Sequence, residues 1–277
     1  MSAPSITAPR CPVLFVSHGA AFFTTSPRDA THRFLAGFSG TVAGWRPTGI
    51  VVVSAHFLET PARVTGPGPL GTIHDHPARS AYGYRYPGRG SEELTARVRD
   101  ALRDAGVDTE VDTGRGLDHG AWIPLSLLCP RGDVPVLQLS LDARQSPGDH
   151  VALGAALAPL RQAGILVLGS GGVTHDQAVF RQGFFGGRDP GEPEPFSRDF
   201  DAWASSLVTS RRGRARAEAL AAFQEHPLAR RAHPTIEHFL PLLVAAGAAG
   251  DDPGRKVFEG FQHSLSTSAF QLGEGTG

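Results

Sequence analysis

Four short runs of this chain are almost wholly apolar, and they limit the fold more than any other feature. Val13–Ser17, Gly49–Ala55, Val134–Leu139 and Gly164–Gly169 are rich in Val, Ile and Leu and lack polar alternation. A strand with one wet face alternates; a strand covered on both faces does not. Stretches with helical spacing lie between the runs. Glu92–Ala105 sets Leu94, Val98 and Leu102 on one face, after Ser91 as N-cap and before Gly106. His150–Gln162, Phe196–Leu207, Arg214–Phe223 and Glu237–Ala246 read as further helices, the last capped by Thr235. Such alternation predicts an α/β fold with a central mixed, largely parallel sheet flanked by helices. Renewed alternation over Val257–Ser266 predicts a late, antiparallel edge strand. Thr60–Gly90, Asp112–Leu125 and Val179–Pro195 read as loop-rich. With 277 residues and no linker signal, a single domain over 1–277 is expected.

Three of the runs lead into a histidine. His18 and His56 follow theirs closely, and His175 follows Gly169-Ser170-Gly171-Gly172-Val173-Thr174. Ligands of open α/β sheets bind at the carboxyl ends of the strands. Imidazoles gathered there suggest a site for iron, zinc, copper or nickel. No pair has zinc-finger spacing or the H-E-x-x-H pattern, so each histidine alone is a weak signal. His32, His150 and His226 sit in polar, helix-flanking settings and are expected to be exposed. His233, before Pro234, is expected to be extended and capping.

Composition narrows the partners. A net charge of -1 gives no reason to expect nucleic acid or an anionic membrane. Cys11 and Cys129 are too few for a disulfide framework and lack metal-ligand spacing, as suits a reducing compartment. Met1–Arg10 has no apolar core of a leader, and no run approaches the roughly 20 apolar residues of a spanning helix. A soluble, cytoplasmic protein is the expectation.

Two other chemistries fit less well. Gly169-Ser170-Gly171-Gly172 after a strand is neither a Walker loop nor a dinucleotide fingerprint; its small residues suit close approach of substrate to the backbone. Ser17 or Ser170 with a histidine base would make a hydrolase, but no G-x-S-x-G elbow is present.

Five segments in fixed order carry a family resemblance: Phe15-Val16-Ser17-His18-Gly19, Val53-Ser54-Ala55-His56, Gly116-Leu117-Asp118-His119-Gly120-Ala121-Trp122, Gly169-Ser170-Gly171-Gly172-Val173-Thr174-His175 and His233-Pro234-Thr235-Ile236-Glu237-His238. From about Pro12 to Leu272 the chain resembles a class III extradiol ring-cleavage dioxygenase. More narrowly, it resembles the DOPA 4,5-dioxygenase-like branch, relatives of the protocatechuate 4,5-dioxygenase catalytic subunit. The resemblance implies metal ligation by His18, His56 and His238, with Glu237 as the carboxylate alternative. It implies His175 as acid–base catalyst and His119 as a contact to substrate or oxygen. The implied cofactor is Fe(II), with Zn(II) able to occupy the same site in a purified sample; the implied partners are a small-molecule catechol and O2, and the implied assembly is a monomer or homodimer. Imidazole has a pKa suited to deprotonating a catechol near neutrality. Asp118 and Asp176 would orient neighbouring imidazoles, and Trp122 is read as core. The rival readings are a zinc hydrolase or lyase using the same histidines, and a non-catalytic binding homologue.

One segment departs from that family. Relatives carry an aspartate–aromatic–glycine–aromatic–proline pattern where this chain has His74-Asp75-His76-Pro77-Ala78-Arg79, although Tyr86-Pro87 is kept. Arg79 and Tyr86 are accordingly the expected substrate contacts, with Arg79 or Arg85 pairing a substrate carboxylate. The Phe184-Phe185 stretch within Gly183–Pro195 is read as a flexible rim or a subunit contact.

Overall fold

The apolar runs fold as expected, and their neighbours explain why. In the computed structural model, which describes residues 10–142 and 144–275, they form β1 (Val13–Ser17), β2 (Gly49–Leu58), β5 (Val136–Leu141) and β6 (Ile165–Gly171). The amino-terminal stretch examined for a leader lies outside the described residues, except for Arg10. Four polar or short strands complete one eight-stranded sheet: β3 (Ala62–Thr65), β4 (Thr109–Asp112), β7 (Gly254–Phe258) and β8 (Ala269–Leu272). Its order is β4-β3-β5-β2-β6-β1-β8-β7. The four central strands are mutually parallel. At one edge β8 runs antiparallel to β1 and β7 antiparallel to β8, and at the other β3 runs antiparallel to β5. The sheet is therefore mixed and mostly parallel.

Successive residues of the central strands feed opposite cores. Val13, Phe15, Val51, Val53 and Val167 pack beneath α2 (Glu92–Asp104), α4 (Pro147–Leu157), α6 (Pro195–Ser210), α7 (Gly213–Ala221) and α8 (Leu240–Ala249). Leu14, Val16, Ile50, Val52 and Leu168 pack beneath α1 (Ala30–Gly44) and α3 (His119–Leu128). Both faces are covered, so no position on these strands needs to be polar. Near the carboxyl ends one further helix, α5 (Gln177–Phe185), is capped by the Asp176 carboxylate, which accepts from Ala178 N at 3.0 Å and Val179 N at 3.1 Å.

Several boundaries differ from expectation. The Glu237 region is not helical: α8 starts at Leu240, and Thr235 donates its hydroxyl to Glu237 Oε1 at 2.8 Å instead of capping. His238 therefore lies on an irregular turn, with its side chain free to face the sheet edge. The expected edge strand is split into Gly254–Phe258 and a two-residue hairpin, Phe261–Gln262 with Leu265–Ser266. His150 is fully buried rather than exposed, with Nδ1 2.9 Å from the Ser146 carbonyl. Among the described residues no helix is long and apolar enough to cross a membrane.

Candidate active site

Five histidines converge at the carboxyl edge of the parallel strands, each delivered by a different device. His18 follows β1, and its backbone N–H continues the ladder to Gly171 O at 3.1 Å. His56 lies in the last turn of β2, where the register with β5 breaks between Val53 and Leu58. His119 is the first residue of α3, whose N-cap is Asp118. His175 follows β6 and is tied by its backbone N–H to Ala232 O at 2.7 Å. His238 is brought in by the turn before α8, whose carbonyl accepts Gly172 N–H at 2.9 Å. Ring centroids lie 4.9 Å apart for His18 and His56, 5.4 Å for His18 and His238, and 3.9 Å for His56 and His119.

The small residues after β6 serve this assembly more than a substrate. A Cβ on Gly171 would sit 2.2 Å from His238 O, so only glycine lets the His238 turn lie on the strand. A Cβ on Gly120 would meet Ser54 Oγ at 2.4 Å, His56 Cδ2 at 3.0 Å and His18 Nδ1 at 3.2 Å. The expectation of close substrate approach at Gly169–Gly172 is thus replaced by close approach of the protein to itself.

Hydrogen bonds fix which nitrogens are free. Ser170 Oγ gives its only proton to Gly120 O at 2.5 Å, so it must accept from His18 Nδ1–H at 3.0 Å. His18 Nε2 is left with its lone pair. Likewise the Glu237 carboxylate accepts from His238 Nδ1–H at 3.0 Å, leaving His238 Nε2 a buried nitrogen with no partner among the described residues. His18 Nε2 and His56 Nε2 face each other at 3.1 Å. Two imidazole nitrogens at that distance need a proton or a cation between them. The ligand atoms of His18, His56 and His238 lie within 4.8 Å of one another. Orphaned lone pairs, backed by a hydroxyl and a carboxylate on the opposite ring nitrogens, are what a divalent metal requires of imidazole, so the residues fit a metal.

Burial keeps these rings neutral. It lowers His18 and His238 well below the usual histidine value, helped by His56 and His175 respectively. Burial, then His119, pushes His56 down to about 3; burial, then His233, pushes His175 down to about 3. Gln177 donates its amide to His175 Nε2 at 3.1 Å, which leaves the His175 proton on Nδ1. Burial would raise Asp75, but the hydrogen bond from His119 outweighs it and holds the carboxyl well below the usual range. Asp75 Oδ1 lies 3.0 Å from His119 Nδ1 and accepts His119 N–H at 2.9 Å, so it orients that ring.

The histidines floor a cavity of ≈ 690 Å³. Phe22, Phe180, Phe184 and Phe185 form one wall; His76, Pro77 and Ala78 form another; Gln177 and Arg181 stand between His175 and solvent. Neither Arg79 nor Tyr86 belongs to these walls. Arg79 is exposed elsewhere, and Arg85 spends its guanidinium on His74 Nε2 and the Tyr82 and Tyr84 carbonyls. Tyr86 is buried with its hydroxyl given to Cys129 O at 3.0 Å. The expected substrate contacts of Arg79 and Tyr86 are therefore not brought to the cavity, because their loop turns those side chains outward and into the α3 packing. Asp75, His76, Pro77 and Ala78 are the members of that loop that arrive, the His76 ring 5.5 Å from His119. His233 is core, donating Nε2–H to Val173 O at 2.8 Å among Phe200, Phe223 and Phe239. Trp122 is core as expected, 1% exposed.

Asp118 ties two site elements together and is not solvated. Its carboxylate accepts from Ser54 Oγ at 2.7 Å, Ala121 N at 3.1 Å, Arg115 Nη2 at 3.3 Å and the Gln138 amide. Ser54 Oγ in turn accepts His56 N–H at 3.2 Å. One carboxylate thus sets the β2 segment of His56 against the helix start of His119.

Fold and site define an α/β protein with an imidazole-rich, metal-type centre in an aromatic cleft. The chain belongs to the LigB family, described as the catalytic LigB subunit of aromatic ring-opening dioxygenase, whose pattern matches residues 12–271. It is similar to a 4,5-DOPA dioxygenase extradiol of Beta vulgaris, at 35% identity over 86% of this chain and 87% of that one. A 4,5-DOPA dioxygenase extradiol of Escherichia coli K12 is 31% identical over 97% of both chains. The crystal structure of uncharacterized protein JW3007 from Escherichia coli K12 superposes with a TM-score of 0.78 at 30% identity, covering 95% of this chain and all of that one. These likenesses identify an extradiol ring-cleaving dioxygenase, an enzyme of small aromatic molecules and O2.

Proposed function

We propose that this chain opens the ring of a catechol, beside its diol, in an Fe(II)-dependent reaction with O2 that yields a muconic semialdehyde-type product. The observation that carries the reading is the set of imidazole lone pairs at His18, His56 and His238, two of them backed by committed Nδ1 protons. When bound there, Fe(II) supplies open positions at which a catecholate and O2 meet. The names of the relatives support a catechol bearing a side chain as substrate.

The chain's own groups do the rest. The phenylalanine wall holds the ring flat in the cleft and keeps water from its edge. His175, neutral at working pH, takes a proton from a catechol hydroxyl on Nε2, displacing the Gln177 amide. Asp75 holds His119 beside His56, within reach of substrate or oxygen. Glu237 keeps the His238 proton on Nδ1. The test is anaerobic reconstitution with Fe(II) or with Zn(II), addition of a catechol panel, then air. A yellow product with matching O2 uptake, in the iron sample only, is expected. Absence of iron-dependent O2 uptake on every catechol overturns the proposal.

A further inference from the structure

We propose that Arg181, placed by Gln177, is a subsite for a carboxylate on the substrate's side chain, an assignment that rests on the catechol reading above. Arg181 is the one arginine or lysine in the cavity wall. Its only carboxylate neighbour in that wall, Asp75, is engaged by His119. Among the described residues no carboxylate pairs with Arg181, whereas Arg188, a few residues on, is paired with Glu194 at 2.5 Å. A fixed positive charge in a cleft, without a counter-ion of its own, complements an anion.

Its position is set by the helix. Arg181 lies one turn after Gln177 on α5, and its Nη2 donates to Gln177 Oε1 at 3.4 Å. That same amide gives its N–H to His175 Nε2. The guanidinium therefore stands one amide group away from the proposed base. Phe180 and Phe184 project from the same helix, and Phe22 packs edge-on to Phe184 at 5.3 Å. One helix thus offers an aromatic wall for the ring and a fork for an acid. A catechol with its diol toward His18, His56 and His238 would carry its substituent outward along this wall. A carboxylate at the end of a short chain meets the guanidinium, which binds that group through two parallel N–H donors.

The test compares para-hydroxyphenylacetate with para-cresol, neither of them a diol, binding to the iron-loaded enzyme without O2, by calorimetry. Turnover of dihydroxyphenylacetate and methylcatechol is measured alongside. The wild type is expected to prefer the acid in both assays. Arg181→Met keeps the apolar stem, and its acid-to-neutral ratio is expected to fall about tenfold. Arg181→Lys, which keeps the charge and loses the fork, is expected to fall between the two. No preference in the wild type, an unchanged ratio in Arg181→Met, or equal losses on both ligands overturns the assignment. If no catechol is opened, the dioxygenase reading fails by itself, and the calorimetric ratio still decides the role of Arg181.

Discussion

The imidazoles of His175 and His238 lie face to face, their centroids 3.3 Å apart and their planes 11° from parallel. Yet their nitrogens are committed differently. His238 has an orphaned Nε2 and a carboxylate on Nδ1, while His175 Nε2 is met by an amide. The contact explains how one residue can serve as base while its neighbour holds metal. His175→Ala is expected to keep its iron and to lose turnover roughly 100- to 10,000-fold. His238→Ala is expected to lose the iron. Metal content after gel filtration, read beside O2 uptake, separates the two; an iron-free His175→Ala would make His175 a ligand.

Gly120 lies against the rings of both His18 and His56. A methyl group there would have to displace Ser54 Oγ, His56 Cδ2 or His18 Nδ1. The ring shift should be felt at the metal as well as in the fold. Gly120→Ala is expected to weaken metal binding about 10- to 100-fold, with about 1–3 kcal/mol of lost stability from overpacking. Titration against a competing chelator, with thermal unfolding as control, measures both. Unaltered metal affinity would show that the approach at Gly120 does not set the histidine geometry.

Asp118 bears mainly on the fold. Removing its carboxylate strands the Ser54, Gln138 and Arg115 donors and uncaps α3. Asp118→Ala is expected to cost about 2–4 kcal/mol. Asp118→Asn keeps one oxygen for Ser54 Oγ and Ala121 N–H and is expected to cost less, since only the Gln138 and Arg115 donors lose their acceptor. Urea denaturation of the two variants gives the order, and equal stability of Asp118→Ala and wild type would mean these bonds contribute nothing net.

What could be read from the sequence follows from what each segment buries. Val13–Ser17 was legible to the residue because both faces of β1 are covered and every position before Ser17 is apolar. Arg63 and Glu110 pair across β3 and β4 at 3.3 Å, so those edge strands are polar and look like loop. α3 was hidden for the opposite reason: nearly every residue of His119–Leu128 is buried, so no polar face marks a helical period, and Pro124 falls inside it. Its one signal was Asp118 as cap. The family motifs brought the five histidines to one page, but the choice of arginine needed the fold. Nothing local in the sequence marks Arg181 above Arg79, and it is α5 that places Arg181 in the cavity wall.

His233 predicts how the fold responds to acid. Its Nε2–H is held by Val173 O and its Nδ1 is buried without a partner among phenylalanine rings. Protonation would place a charge there, so burial pushes His233 from 6.5 down to about 4, against the pull of the Val173 bond. Between those values the unfolded chain binds the proton more readily than the folded one, so stability rises with pH. The contribution is complete above 6.5, is lost as pH falls, and stops changing below about 4. The ceiling is about 3 kcal/mol, at about 1.4 kcal/mol per pH unit. The site histidines are depressed in the same direction, so the wild type alone cannot isolate one residue. His233→Gln keeps a donor for Val173 and cannot titrate. Urea unfolding across that window should therefore give a variant less stable at neutral pH but flatter toward acid, with the difference in slope approaching one proton. Parallel pH profiles for the two proteins would mean that His233 is already protonated in the fold, or that the unfolded chain protects it equally.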